Sequence, residues 1–193
     1  MLVFIFDIKL HVIIRFLYLL LLIVLGCSCK QQRSSDIKKE LLDKVVVADN
    51  NMHKYLNSLK HAGSNVFNYP DYFGGVYINS QYELVFNIVG DTLQYKNDII
   101  QRMGCDFFYM KKCEYSYSYL LKVNDSINSF VRDNMNALII EDVGFYLSGI
   151  SLENNAVIVE LINKSQEKVE LFETSICKSP AIIFIKANNP DAH

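Results

Sequence analysis

The chain has 193 residues, with 19 Lys and Arg against 21 Asp and Glu, a formal net charge of -2 and 51% hydrophobic residues. A near-neutral balance without a concentrated basic run lacks the electrostatic footprint of a nucleic-acid binder, so no nucleic acid is expected as a partner. The length suffices for one domain or two small ones.

At the start of the chain, Lys9, His11 and Arg15 form a basic segment, Phe16 to Leu25 an apolar run of signal-peptide length, and Gly26 a small residue before Cys27. The apolar stretch from Leu10 to Leu25, interrupted by His11 and Arg15, falls short of the roughly 18 to 20 residues that span a bilayer. A cleaved leader is therefore expected rather than a transmembrane anchor. Val24-Leu25-Gly26-Cys27 resembles the lipobox of bacterial lipoproteins, although Leu25 is bulkier than the Ala or Ser often found there. That resemblance implies a signal peptide over residues 1–26 and lipidation at Cys27, which holds the folded part on a membrane of the bacterial cell envelope, outside the cytoplasm. Cys29 is the weaker acceptor because Gly26, Cys27 and Ser28 leave it without an apolar anchor. Met1 to Asp7 lie upstream of the basic segment and are given no structural role.

Residues 27–35 are polar and aperiodic, which suits a flexible tether. A helical segment is expected over residues 36–63: Ile37, Leu41, Leu42, Val45 and Val46 recur at helical intervals, and Met52, Tyr55, Leu56 and Leu59 share one face of a second stretch, Asn50 to Lys60. After the turn residues Asn68-Tyr69-Pro70-Asp71 the period changes from 3.6 to 2. Gly74 to Asn79 and Glu83 to Val89 read as a hairpin, Leu93 to Met103 as a short amphipathic helix, and Cys105 to Met110 as a strand. Tyr115 to Met135 is a long helix with Tyr119, Leu120, Val123, Ile127, Phe130 and Val131 on one stripe. The first pattern then returns, with strands Val143 to Leu152 and Ala156 to Ile162, a helix from Ser165 to Ile176 and a strand from Ala181 to Lys186. The expected fold is α+β, two ββαβ-like lobes joined by a long helix and preceded by N-terminal helices. Residues 64–135 form the first lobe with its linking helix, and 136–193 form the second. Gly75-Val76-Tyr77-Ile78 and Gly144-Phe145-Tyr146-Leu147 are the clearest internal match. Helices must cover one face of each sheet. On the other face of the first, Val85 and Val89 flank Asn87, and this strand, by its face or its edge, is where a protein partner is expected.

The usual motifs of hydrolases, nucleotide-binding proteins and zinc enzymes (GxSxG, GxxxxGK, GxGxxG, HExxH) are absent. Glu141 and Asp142 read as the solvated entry to a strand rather than a facing carboxylate pair. Nothing in the sequence brings His53 or His61 to Cys113, so a packed thiol is the simpler reading of that cysteine. If Cys27 is lipidated, Cys29, Cys105, Cys113 and Cys177 remain, in a compartment where disulfides persist; buried free thiols are the simplest reading. The 12 tyrosines suit either core packing or a binding surface. No catalytic, cofactor-binding or metal-ligating residue is assigned, and no cofactor is expected.

Phe73-Gly74-Gly75-Val76-Tyr77-Ile78 with Leu84-Val85-Phe86-Asn87-Ile88, Tyr115-Ser116-Tyr117-Ser118-Tyr119-Leu120, and Val143-Gly144-Phe145-Tyr146-Leu147 with Asn155-Ala156-Val157-Ile158-Val159-Glu160-Leu161 follow one another in a familiar order. This order resembles the pro-regions of alpha-lytic-protease and streptogrisin-type serine proteases. The resemblance implies a two-lobed α/β module that assists the folding of a chymotrypsin-like protease and then inhibits it, laying a sheet edge against it. No Gly-Asp-Ser-Gly segment occurs in these 193 residues, so no catalytic residue carries over and the expected action is in trans. The expectation is a non-enzymatic, protein-binding lipoprotein. The alternative is a glycan-binding module or small hydrolase at the cell surface, using the tyrosines.

Overall fold

The computed structural model describes residues 39–188 apart from 41, 62 and 65. The leader, Cys27 and the tether lie outside the described residues. Two compact units divide the chain, one ending at Val46 and one running from Val47 to His193. In the first, residues 39, 40 and 42–46 are helical, Glu40 and Lys44 form an ion pair at 3.1 Å, and Leu42 and Val46 are exposed. Among the described residues no helix is long and apolar enough to cross a membrane.

The larger unit holds both lobes. In the first, helix α1 (residues 47–58) is followed by β1 (Phe73–Ile78), β2 (Leu84–Val89), α2 (Lys96–Met103) and β3 (Tyr109–Cys113). The β1–β2 hairpin closes on Asn79, whose Oδ1 accepts from the backbone N–H of Gln81 at 3.0 Å and of Glu83 at 2.9 Å. β2 is central, antiparallel to β1 and parallel to β3. Alternation along β2 turns Leu84, Phe86 and Ile88 toward a core with Tyr55, Leu59, Phe73, Ile99 and Met103. Val85, Asn87 and Val89 face the other way.

The second lobe repeats the order. Helix α3 (Tyr117–Arg132) starts at Ser116, whose Oγ accepts from the backbone N–H of Tyr119 at 3.3 Å. A 3-10 turn (Asn134–Asn136) and α4 (Ala137–Val143) precede β4 (Phe145–Ser151), β5 (Ala156–Leu161), α5 (Gln166–Ser175) and β6 (Ile182–Lys186). β5 is central, antiparallel to β4 and parallel to β6. Leu120, Val123 and Ile127 of α3, Val143 and Phe172 pack on Val157, Val159 and Leu161. Each large apolar side chain buried there contributes about 1.5–3 kcal/mol.

The two ββαβ lobes and their joining helix therefore form the α+β fold expected. Several boundaries differ, among them β4, which starts at Phe145 rather than Val143, and α2, which starts at Lys96 rather than Leu93. β3 starts at Tyr109 rather than Cys105, because residues 105–108 form the approach to the strand. The long helix stops at Arg132, where Asp133 turns its side chain to the backbone N–H of Met135 and caps the next turn. Glu141 and Asp142 lie on α4, not at a strand entry, and Asp142 meets Lys168 of α5 at 2.9 Å. Cys105, Cys113 and Cys177 are free and half-buried.

The β4–β5 turn docks on the face of the first sheet that carries Asn87. The Asn87 amide donates to the carbonyl of Leu152 at 2.5 Å, and Lys111 Nζ donates to that of Glu153 at 2.8 Å. Asn155, in the left-handed region with φ 49, accepts at Oδ1 from the N–H groups of Glu114 (3.1 Å) and Tyr115 (2.8 Å). Its Nδ2 donates to the carbonyls of Tyr115 (2.8 Å) and Gly74 (3.4 Å). Gly75 makes room for the turn, since a Cβ there would lie 2.5 Å from Leu152 Cδ2, whereas Gly74 makes room within its own lobe, where a Cβ would run into Cys113 Sγ of β3. Gly75 also has φ 117, which L side chains rarely adopt. Gly144, its counterpart in the internal sequence match, has a different task, ending α4 in the left-handed conformation with φ 70.

Asn155→Ala leaves buried N–H and C=O groups at the junction without partners and puts a Cβ residue without a polar side chain at positive φ. Urea denaturation of the variant is expected to show a loss of about 3 kcal/mol. A change below about 0.5 kcal/mol, the level of ordinary surface substitutions, would show that Asn155 does not hold the junction.

Candidate functional site

Each three-stranded sheet leaves two outer strands, β1 and β3 in the first lobe and β4 and β6 in the second. An outer strand offers unpaired backbone groups to another chain unless charge, brevity or cover protects it. β2 is not such a strand. Its backbone is committed to β1 and β3, so the Val85 to Val89 segment has no free edge, which corrects that part of the expectation. Val85 and Asn87 are buried, and Asn87 is held by the chain's own second lobe.

β3 carries exposed Lys111 and Lys112, a charged edge of the kind that discourages pairing. β6 is different: Ile182-Ile183-Phe184-Ile185 is apolar on both faces, the pattern of a strand at the centre of a sheet. Phe184 meets Phe172 edge-on at 5.2 Å on the helix side, while Ile183, on the opposite face, is 43% exposed. The inner ladder uses the carbonyl of Ala181, accepting from Val157 N–H at 2.8 Å, and the N–H of Ala187, donating to Leu161 at 2.9 Å. Parallel pairing therefore turns the odd-numbered backbone groups inward and leaves the N–H and C=O of Phe184 and the N–H of Lys186 on the outer side. Among the described residues no strand pairs with that side.

The entry to β6 is fixed by the tyrosines that open α3. Tyr119 and Ser179 share a hydrogen bond at 3.0 Å, Tyr115 donates to the carbonyl of Pro180 at 3.2 Å, and the two rings stack with centroids 5.6 Å apart. Tyr117 turns to the first core, edge-on to Tyr69 at 4.8 Å. Packing thus accounts for these side chains.

A second polar cluster ties α1 to α2. Tyr72 donates a short hydrogen bond to Asp98, Arg102 Nε donates to the same carboxylate at 2.8 Å, and the hydroxyls of Tyr55 and Tyr72 lie 3.4 Å apart. Burial raises the Tyr55 hydroxyl far above its ordinary range, and burial together with the Asp98 hydrogen bond pushes Tyr72 up to about 12. Burial alone would raise the Asp98 carboxyl; the hydrogen bonds from Arg102 and Tyr72 outweigh it and hold the carboxyl below its usual value. The cluster is a structural clamp, with proton donors locked rather than poised.

The remaining chemistry is sparse. Burial pushes the Cys113 thiol up to about 11, which disfavours the thiolate a nucleophile needs. His53 lies on α1, 3.6 Å from Asp49. A concavity of ≈ 470 Å³ is lined by Gly90, Asp91, Thr92 and Lys112, without a nucleophile and base in contact. Among the described residues no three His, Cys, Asp or Glu side chains gather into a metal site.

Two ββαβ lobes, a locked junction and an open apolar strand are features that suit a pro-region-like module. Comparison with family models agrees: residues 27–113 match the Pro-like N-terminal domain and residues 118–187 match the Pro-like C-terminal domain. The chain is therefore similar to these two domains in order and over most of its length. Domains of this kind are typically non-catalytic. A search of curated proteins gave no match.

Because the folded pKa of Asp98 is depressed, its contribution to stability is present above the ordinary carboxylate range and disappears as pH falls through the folded value. Asp98→Asn is expected to be less stable than wild type at neutral pH and to converge with it as pH falls below the ordinary carboxylate range. Parallel denaturation curves from pH 7 downward check this. A constant gap across that range would remove the ionised carboxylate as the cause.

Proposed function

We propose that the chain is a lipid-anchored, non-enzymatic protein-binding module, a pro-region-like chaperone or inhibitor that acts in trans on a chymotrypsin-like serine protease. The outer edge of β6 takes a strand of that protein. The observation that carries this reading is the unpaired outer side of a strand that is apolar on both faces. Strand addition supplies backbone hydrogen bonds for affinity, and alternate side-chain positions supply selectivity. The two Pro-like matches support a pro-region role. The anchor is Cys27, within Val24-Leu25-Gly26-Cys27, and the Pro-like N-terminal match begins at the same residue. Each buried acyl methylene adds about 0.8 kcal/mol, so more than one chain gives stable attachment to the cell-envelope membrane.

Lys186→Pro tests the edge, since it removes an outward N–H while the inner ladder of β6 keeps its donors. A streptogrisin-type protease, denatured without its own pro-region and diluted into buffer, is expected to regain activity with the wild-type chain present and about tenfold less with Lys186→Pro. Absence of both rescue and inhibition by the wild-type chain at micromolar concentration would refute the reading. Cys27→Ala is expected to abolish metabolic labelling by a clickable palmitate analogue and to release the chain from the membrane fraction. Labelling that persists in Cys27→Ala would place the lipid elsewhere.

A further inference from the structure

The second sheet has one face covered by α3, α4 and α5 and one face that no described helix covers. Pairing places Leu147, Glu160 and Ile185 side by side across the open face, with Gly149, Ile158 and Ile183 in the next row. Leu147 and Ile183 are each 43% exposed. Glu160 thus stands at the centre of an apolar surface, half-buried. Among the described residues no cation lies within ion-pair distance of its carboxylate, and no donor is hydrogen-bonded to it. Lys186, the nearest cation in sequence on β6, alternates to the opposite face. A carboxylate set among apolar side chains and without a counter-charge is a place where a cation brought by a partner finds a complementary charge.

We propose that the strand added beside β6 carries an arginine or lysine opposite Ile185, its charged end lying on Glu160, with apolar residues on either side of it along the same face. This rests on the reading that the β6 edge takes a strand, and it adds the chemistry of that strand. The incoming backbone would sit one strand spacing, about 4.8 Å, beyond β6 and two spacings, about 10 Å, from β5. A long basic side chain covers that gap by laying its methylenes over Ile185 and placing its head at Glu160. The backbone groups of Ile185 point inward to β5, so in an antiparallel addition Ile185 occupies a non-hydrogen-bonded position, where facing side chains approach most closely. The specificity determinant is Glu160, while the affinity comes from the edge and the isoleucines.

The probes are two backbone-cyclised hairpin peptides, identical except for arginine or glutamate at the centre of the presented strand, titrated by fluorescence anisotropy into the full chain. Wild type is expected to bind the arginine peptide about tenfold more tightly, and the preference should shrink at high salt. Glu160→Gln should lose the preference to within about twofold, and Glu160→Lys should reverse it. Equal binding of both peptides by wild type, abolished by Lys186→Pro, would overturn the role of Glu160 and leave the edge reading intact. Binding of neither peptide would overturn both.

Discussion

The junction built around Asn155 is the constraint on which the arrangement of the larger unit rests. One side chain closes four hydrogen bonds to backbone groups of Gly74, Glu114 and Tyr115. These groups belong to β1 and to the segment leading from β3 into α3, so a residue at the tip of the second lobe fixes the start of the helix that joins the two. Buried polar networks of this kind are stabilising when satisfied and costly when one member is lost. The same close approach explains why Gly75 stands in β1, where glycine is otherwise unfavourable, while Gly74 leaves room for Cys113 Sγ of β3.

That junction also redirects the functional reading. Asn87 looked available because a polar residue between Val85 and Val89 suggests a face half open to water. Its amide is instead used by the carbonyl of Leu152, across 65 positions of sequence. At Asn87 that face is covered by the chain's own second lobe rather than by a separate protein. β2 is enclosed, and of the outer strands β3 is guarded by lysines whereas β6 is apolar on both faces, a composition ill suited to an edge.

Local signals were legible in the sequence and non-local ones were not. Period-2 runs located β1, β2, β4, β5 and β6, whereas Ser116, the N-cap of α3, fell inside the helix expected from Tyr115. The apolar stripe of α3 named Leu120, Val123 and Ile127, which are all buried. Ala137-Leu138-Ile139-Ile140 carries no periodic stripe, since Leu138 is 80% exposed while Val143 is buried, and α4 was therefore missed. Strand order depends on which crossover neighbours which strand, and a chain read in sequence order gives no residue-level sign that β2 lies between β1 and β3. The match between Gly75 and Gly144 marks the repeated lobes but not a shared role for the glycine. The same residue type serves close packing in one lobe and helix termination in the other.

The two ends of the proposed function make different physical demands, and the structure keeps them apart in sequence. Attachment asks only for Cys27 and a tether, whereas recognition asks for a rigid edge. Rigidity at β6 comes from both sides: Ala181 and Phe172 are buried beneath it, and Tyr115 and Tyr119 pin Ser179 and Pro180 at its entry. An edge held in strand conformation before binding avoids part of the ordering cost that a flexible segment would meet on association. This preorganisation also restricts what can bind. The added strand must accept the twist and register already set by β5 and β6, with the carboxylate of Glu160 at a fixed place on the face it extends.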